Sequence, residues 1–313
     1  MTRDSDAIIK EMRRPGLLND IMFKIVFGTQ QGVPVLIELI NALLDLREGD
    51  EITGLELLRP AAEKEFWVDK GPVLDLKARD QKGQQYNIEV QLRAGLDDYI
   101  KRSVYYTTRF YSEQLEAGHR YNELKRTVSI SLLDFILFDR EELHSQFVLW
   151  EREQGFQLCT DLELHYIELR KFVPDSPEQL QTRVQKWLYT LKFADIYYNQ
   201  DLPDNLAQEE GISMAIDSMR KAYARDDVRW RIEAQEKAER DELSRISYAE
   251  QQGKQQGERL SLKVVLEARF GPLPATLSEK LDGLAPDRLS NLLPLAATAA
   301  TLEEFTAGLS ADP

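Results

Sequence analysis

The sequence predicts an α/β protein, with a small mixed sheet flanked by helices and a helical C-terminal region after it. Three stretches lead to this. VLDLKARDQKGQQYNIEVQ, residues 73–91, alternates in character on both sides of a turn, as the two arms of a hairpin do. TVSISLLDFILF, residues 127–138, is a run of β-branched and apolar residues that reads as a buried strand. From about residue 204 the chain is dominated by Ala, Glu, Lys, Arg and Gln, the residues of a long exposed helix.

Taken in order, residues 19–28 and 33–46 read as helices. Asn19 or Asp20 can cap the first, Gly28 ends it, and Pro34 suits the first turn of the second. The hairpin follows. Residues 97–117 then read as a helix stopped by Gly118, and further strands are expected at 146–151 and 162–170. Pro174 turns the chain toward helices rich in aromatics, among them Trp187, Tyr189 and Phe193. Gly253 and Gly257 form a Gly-x-x-x-Gly step in a polar setting, which reads as a mobile or close-packed point of a soluble helix. Pro272 and Pro274 open a final Leu-rich helical unit.

The hairpin carries the chemistry. Asp80-Gln81-Lys82-Gly83 suits a type I turn closed by a left-handed glycine, a three-residue loop that fixes the register. Asp75 then lies opposite Glu89, Lys77 opposite Asn87 and Val73 opposite Gln91, while Leu76, Ala78, Tyr86, Ile88 and Val90 share the other face. Opposed carboxylates have Cβ atoms about 5 Å apart. Their repulsion is about 1 kcal/mol in water and about 3 kcal/mol at an effective dielectric near 20. A hard cation such as Mg²⁺ or Mn²⁺ removes that cost and leaves coordination positions for water and phosphate, so Asp75, Glu89 and Gln91 form a candidate divalent-metal site. The competing reading is a solvated polar face whose acids are neutralised by Lys77 or Lys82.

The pattern Asp75, a turn, then Glu89-Val90-Gln91 resembles the core of the PD-(D/E)xK nucleases, in the form of the recombination-promoting nuclease (transposase) family, where the last position is often Gln. LNDIMFKIVFG at 18–28 and LIELINALL at 36–44 resemble that family's first two helices. Residues 101–135 resemble its next helix and strand, and LELHYIELRKF at 162–172 its late strand, with Arg170 where proline is expected. Residues 259–313, with ARFGPLP, resemble a small helical domain appended to such nucleases. The resemblance implies a restriction-endonuclease-like core at 1–203, a helical connector at 204–258 and a C-terminal helical domain at 259–313. It also implies an Mg²⁺-dependent endodeoxyribonuclease acting on DNA in recombination or mobile elements. Asp75 and Glu89 would hold the metal. Gln91 stands where lysine is usual and brings an amide but no charge, which Lys77 on the same face would supply unless it is an ordinary surface lysine. Asp20 is a further candidate, since the resemblance sets its helix beside the site; alternatively it caps that helix or pairs with Lys24. Arg102, Tyr106 and Arg109 lie three to four residues apart on one helix face and suit phosphate and sugar contacts, or else leave the arginines in water while tyrosine packs inward.

A net charge of −14 opposes nucleic-acid binding at long range, yet residues 93–126 carry seven Lys or Arg against five Asp or Glu beside the proposed site. Two other readings therefore stay open: a catalytically degenerate DNA binder, and a partner-binding scaffold acting through the C-terminal helices. The single Cys159 excludes an intramolecular disulfide framework. His119, His144 and His165 are too far apart in sequence to form a local ligand motif and read as ordinary surface or strand residues. With no apolar run long enough to span a bilayer and no signal-peptide core, the chain is expected in the cytoplasm and off membranes, with a homodimer as the default assembly.

Overall fold

The computed structural model describes residues 14–58, 75–93, 98–116, 118 and 120–310, apart from the side chains of Asp75, Pro286, Asp287, Ser290 and Ser310. Two compact units divide the chain, Met1–Ile232 and Glu233–Pro313.

The first unit opens with helix α1 (Asp20–Phe27), whose cap is Asn19: its Oδ1 accepts from the backbone of Ile21 and Met22. Helix α2 (Val33–Leu43) has proline in its first turn and stops before Asp45, whose φ of 48° is left-handed and cannot continue the helix. Strand β1 (Leu55–Leu57), too short to stand out by pattern, leads to β2 (Asp75–Asp80) and β3 (Gln85–Gln91). Helix α3 (Tyr99–Ser112), β4 (Thr127–Leu133), β5 (His144–Val148) and β6 (Leu162–Glu168) follow. The six strands form one mixed sheet in the order β1-β2-β3-β4-β6-β5, with β3, β4 and β6 parallel and the other pairs antiparallel. This is the small mixed sheet flanked by helices that the sequence predicts.

One sheet face packs against helices. Leu76, Ala78, Tyr86, Ile88, Val128, Ile130 and Ile167 meet α1, α2, α4 (Arg183–Phe193) and α6 (Glu210–Tyr223) in a core that includes Phe23, Phe27, Leu36, Trp187 and Ile212. Leu206 of the short α5 (Asp204–Ala207) and the first turns of α7 (Asp226–Phe270), through Val228 and Ile232, complete it. The opposite face is covered by α3, which lies over β4 and β6. On that side Tyr99, Leu133, Phe135 and Tyr166 form a smaller apolar cluster, tied by a 2.6 Å hydrogen bond between Ser103 Oγ and the Tyr166 hydroxyl.

Several boundaries differ from expectation. Helix α3 ends at Ser112, six residues before Gly118, because Gln114 is held elsewhere. Its Oε1 accepts from Lys125 N, and its Nε2 donates to Lys125 O and Thr127 Oγ1. Strand β4 stops at Leu133 rather than 138, as Leu137 and Phe138 turn their amides toward the Glu168 carboxylate at 2.5 and 3.1 Å. Strand β5 covers 144–148, with an isolated Trp150–Gln157 bridge beyond it. The histidines are not independent: His144 Nε2 and His165 Nδ1 share a 2.9 Å hydrogen bond across β5 and β6. His119, Val73, Leu74, Asp97 and Ala117 lie outside the described residues.

In the second unit, Leu262 and Leu266 of α7 pack with α8 (Ala275–Asp282), α9 (Pro286–Thr298) and α10 (Leu302–Ser310) around Leu281, Leu289, Ala296 and Phe305. Arg269 donates to the carbonyls of Ala296 and Ala299, satisfying the C-terminal end of α9. Gly253 and Gly257 face open space among the described residues, so the Gly-x-x-x-Gly step is not a close-packed point. No single described helix is long and apolar enough to cross a membrane.

Candidate active site

The hairpin forms in the expected register. Asp75 pairs with Glu89, Leu76 with Ile88, Lys77 with Asn87, Ala78 with Tyr86 and Arg79 with Gln85. Asp80 organises the turn. Its backbone N–H donates to Gln84 O, its Oδ1 accepts from the backbone of Lys82 and Gln84 at 2.8 Å each, and Gly83 closes the loop at φ +82°. The Tyr86 hydroxyl donates to Asp80 Oδ2 at 3.1 Å; burial first, then the Asp80 charge, raises the tyrosine pKa.

Strand alternation sets Gln85, Asn87, Glu89 and Gln91 in a row on one face, beside Lys77 and Arg79 of β2 and Thr127, Ser129 and Ser131 of β4. That face is polar but not solvated. Gln85, Asn87 and Glu89 are each only 4–5% exposed, because α3 lies across the sheet. A buried carboxylate needs a counter-charge or hydrogen bonds, and α3 brings one. Arg102 Nη2 donates to Glu89 Oε1 at 3.1 Å and to Gln91 Oε1 at 3.0 Å, and its guanidinium lies 5.0 Å from the centre of the Tyr99 ring. Burial, then the Glu89 charge, raises the Tyr99 pKa.

The structure thus brings Glu89, Gln91 and Arg102 together, with Asp75 opposite Glu89 in register. Lys77 shares the face with its Nζ 4.7 Å from the centre of the Phe110 ring, and among the described residues it has no carboxylate partner. Gln91 is engaged at both ends of its amide, since Nε2 donates to Arg93 O at 3.0 Å while Oε1 accepts from Arg102. Arg109 turns to Glu113 at 2.7 Å, and Tyr106 is exposed, edge-on to Tyr105 with ring centroids 5.4 Å apart. Neither makes a described hydrogen bond to Glu89 or Gln91. Asp20 sits in the first turn of α1, beside the Asn19 cap. Arg170 faces Asp134 at 3.7 Å.

The donor set suits a hard cation. Glu89 is a buried carboxylate with a second acid opposite it in register across the strands, and Asn87 Oδ1, two residues along the same face, is a buried oxygen with no hydrogen-bond partner among the described residues. The reading from pattern alone missed Gln85 and Asn87. The only signal for them was their alternation with Tyr86, Ile88 and Val90.

On the opposite face a second polar cluster links Arg126, Glu163, His165 and His144. Arg126 Nη2 donates to Glu163 Oε2 at 2.7 Å, and His165 Nε2 lies 3.3 Å from that same oxygen. Burial works against the Glu163 charge, but hydrogen bonds from His165 and Arg126 hold its pKa down at about 2. Burial and then His165 lower the His144 pKa to about 4.

Residues 17–249 match the family described as PD-(D/E)XK nuclease family transposase, a span that includes the whole hairpin, α3 and the sheet. No curated protein and no solved structure matches the chain.

Proposed function

We infer from two facts, that the chain belongs to the PD-(D/E)XK nuclease family transposases and that its buried Glu89 stands opposite Asp75 in register, that it is a metal-dependent endonuclease hydrolysing phosphodiester bonds in DNA. The observation that carries the reading is Glu89 itself. A glutamate only 4% exposed, on a sheet face where β3 and β4 otherwise present amides and hydroxyls, is costly to keep for stability alone. PD-(D/E)XK nucleases generally use divalent metals, and here Asp75 and Glu89 would hold Mg²⁺ or Mn²⁺. The ion would polarise the scissile phosphate and lower the pKa of a bound water.

The remaining work falls to the side chains around the acids. Arg102 neutralises Glu89 and, on the same helix face as Tyr106 and Arg109, offers a guanidinium suited to a phosphate of the bound strand. Lys77, without a carboxylate partner among the described residues, supplies the positive charge that Gln91 lacks, against the charge developing on the phosphate. The Gln91 amide orients Arg102 and, once released, a water. Recombination or movement of mobile elements is the setting that the family suggests.

One observation favours a second reading. Both ends of the Gln91 amide are already taken, which suits a protein that binds DNA without cutting it. Incubation of supercoiled plasmid with Mg²⁺ or with EDTA separates the two. Metal-dependent nicking that is lost in Glu89→Gln supports the nuclease, whereas tight binding without nicking supports the degenerate binder.

A further inference from the structure

Where the turn end of the hairpin meets the C-terminal end of α3 lies a cavity of about 540 Å³ lined by Lys77, Arg79, Gln85, Phe110 and Lys125 among others. Its volume falls in the roughly 300–1,000 Å³ range of small-molecule sites. Three features define what it accepts.

The first is charge. Lys77 and Lys125 have no carboxylate partner among the described residues, and the Lys125 stem lies along Gly83, with Cγ 3.5 Å from where a glycine Cβ would stand. The acids that line the same cavity, Glu113, Glu116 and Glu123, are each engaged in an interaction of their own. Glu113 pairs with Arg109 at 2.7 Å, and Glu123 accepts from Arg120 N at 3.3 Å. The cations are therefore available to an anion.

The second is the floor. Gln85 lines the cavity and is 5% exposed, and among the described residues its Oε1 has no hydrogen-bond partner. Leaving a buried amide unsatisfied is costly, and one in the cavity wall calls for an occupant that donates and accepts hydrogen bonds. The third is position. Gln85 is four residues from Glu89 on β3, about 13 Å along the strand.

We propose that this cavity receives an unpaired nucleotide of the DNA strand being cut, its phosphate between Lys77 and Lys125 and its base edge against the amide of Gln85. Asn and Gln amides read base edges by paired hydrogen bonds. A floor this buried is reachable only by a base out of the duplex stack, so the preferred substrate class is DNA carrying unpaired nucleotides: a bulge, a flap or a single strand. The proposal rests on the nuclease reading for the strand's orientation and extends it to the substrate's structure.

The test is binding of two fluorescent DNAs by the full chain in EDTA, one a short duplex and the other the same duplex with an unpaired bulge. Wild type, Gln85→Leu, Lys125→Ala and Glu89→Gln are compared, with thermal melting alongside. The bulged DNA should bind about tenfold more tightly than the duplex. That preference should vanish in Gln85→Leu, which keeps side-chain volume and should melt no lower than wild type, and should weaken in Lys125→Ala. Equal affinity for the two DNAs, or a preference that survives Gln85→Leu, overturns the proposal and leaves the amide to water. Bulge preference without any cutting keeps the pocket and removes the nuclease. Cutting lost in Glu89→Gln with no bulge preference does the reverse.

Discussion

At the scale of single residues, the account turns on how a buried charge is compensated. Glu89 is nearly inaccessible and Arg102 about one-fifth exposed, so their 3.1 Å contact is screened far less than a surface pair. Arg102→Gln removes the cation and leaves Glu89 opposite Asp75. We expect a loss of about 2 kcal/mol in urea unfolding, and partial recovery in millimolar Mg²⁺. If the variant is as stable as wild type, Arg102 is not the counter-charge. His144 gives a second test. Its pKa is depressed to about 4 from an ordinary 6.5, so the unfolded chain binds the proton first as pH falls. Stability should therefore drop between pH 6.5 and 4, and Glu163, held at about 2, adds a further loss below about pH 4.5. His144→Gln should flatten the upper part of a melting-temperature profile. An unchanged slope there would sink the assignment.

At the scale of elements, the hairpin is where sequence and structure agree most closely, because its information is local. Asp80 and Gly83 dictate the loop, the loop dictates the register, and the register puts Asp75 opposite Glu89. Gly83→Ala should cost about 1 kcal/mol, since alanine at φ +82° is strained, and urea unfolding would reveal it. What stayed illegible depended on partners distant in sequence. Helix α3 ends early because the Gln114 side chain is taken by the strand leading into β4. Strand β4 ends early because Glu168, from β6, collects two backbone amides. The polar face of β3 read as either solvated or catalytic. Only the cover of α3 tells that it is buried, and only that burial makes Gln85 and Asn87 notable. The histidines, 21 residues apart in sequence, meet because β5 and β6 are antiparallel neighbours.

At the scale of the whole molecule, the proposed action on DNA by a chain with net charge −14 requires a restricted surface. The cations of that surface include Lys77, Arg79, Lys101, Arg102, Arg109 and Lys125, and some are already paired. The logarithm of affinity should fall with the logarithm of salt at a slope near −0.9 per phosphate contacted, which for about three to five contacts gives a slope of about −3 to −5. A flat salt response in a binding titration would return the scaffold reading to first place. The most direct test of the central claim is cleavage of supercoiled plasmid by wild type and by Glu89→Gln and Asp75→Asn, each shown to be folded, in Mg²⁺, in Mn²⁺ and in EDTA. The account predicts nicking by wild type only with metal, and a loss of at least about a hundredfold in both variants. Nicking that persists in the variants, or a well-folded wild type that cuts nothing in either metal, would contradict it.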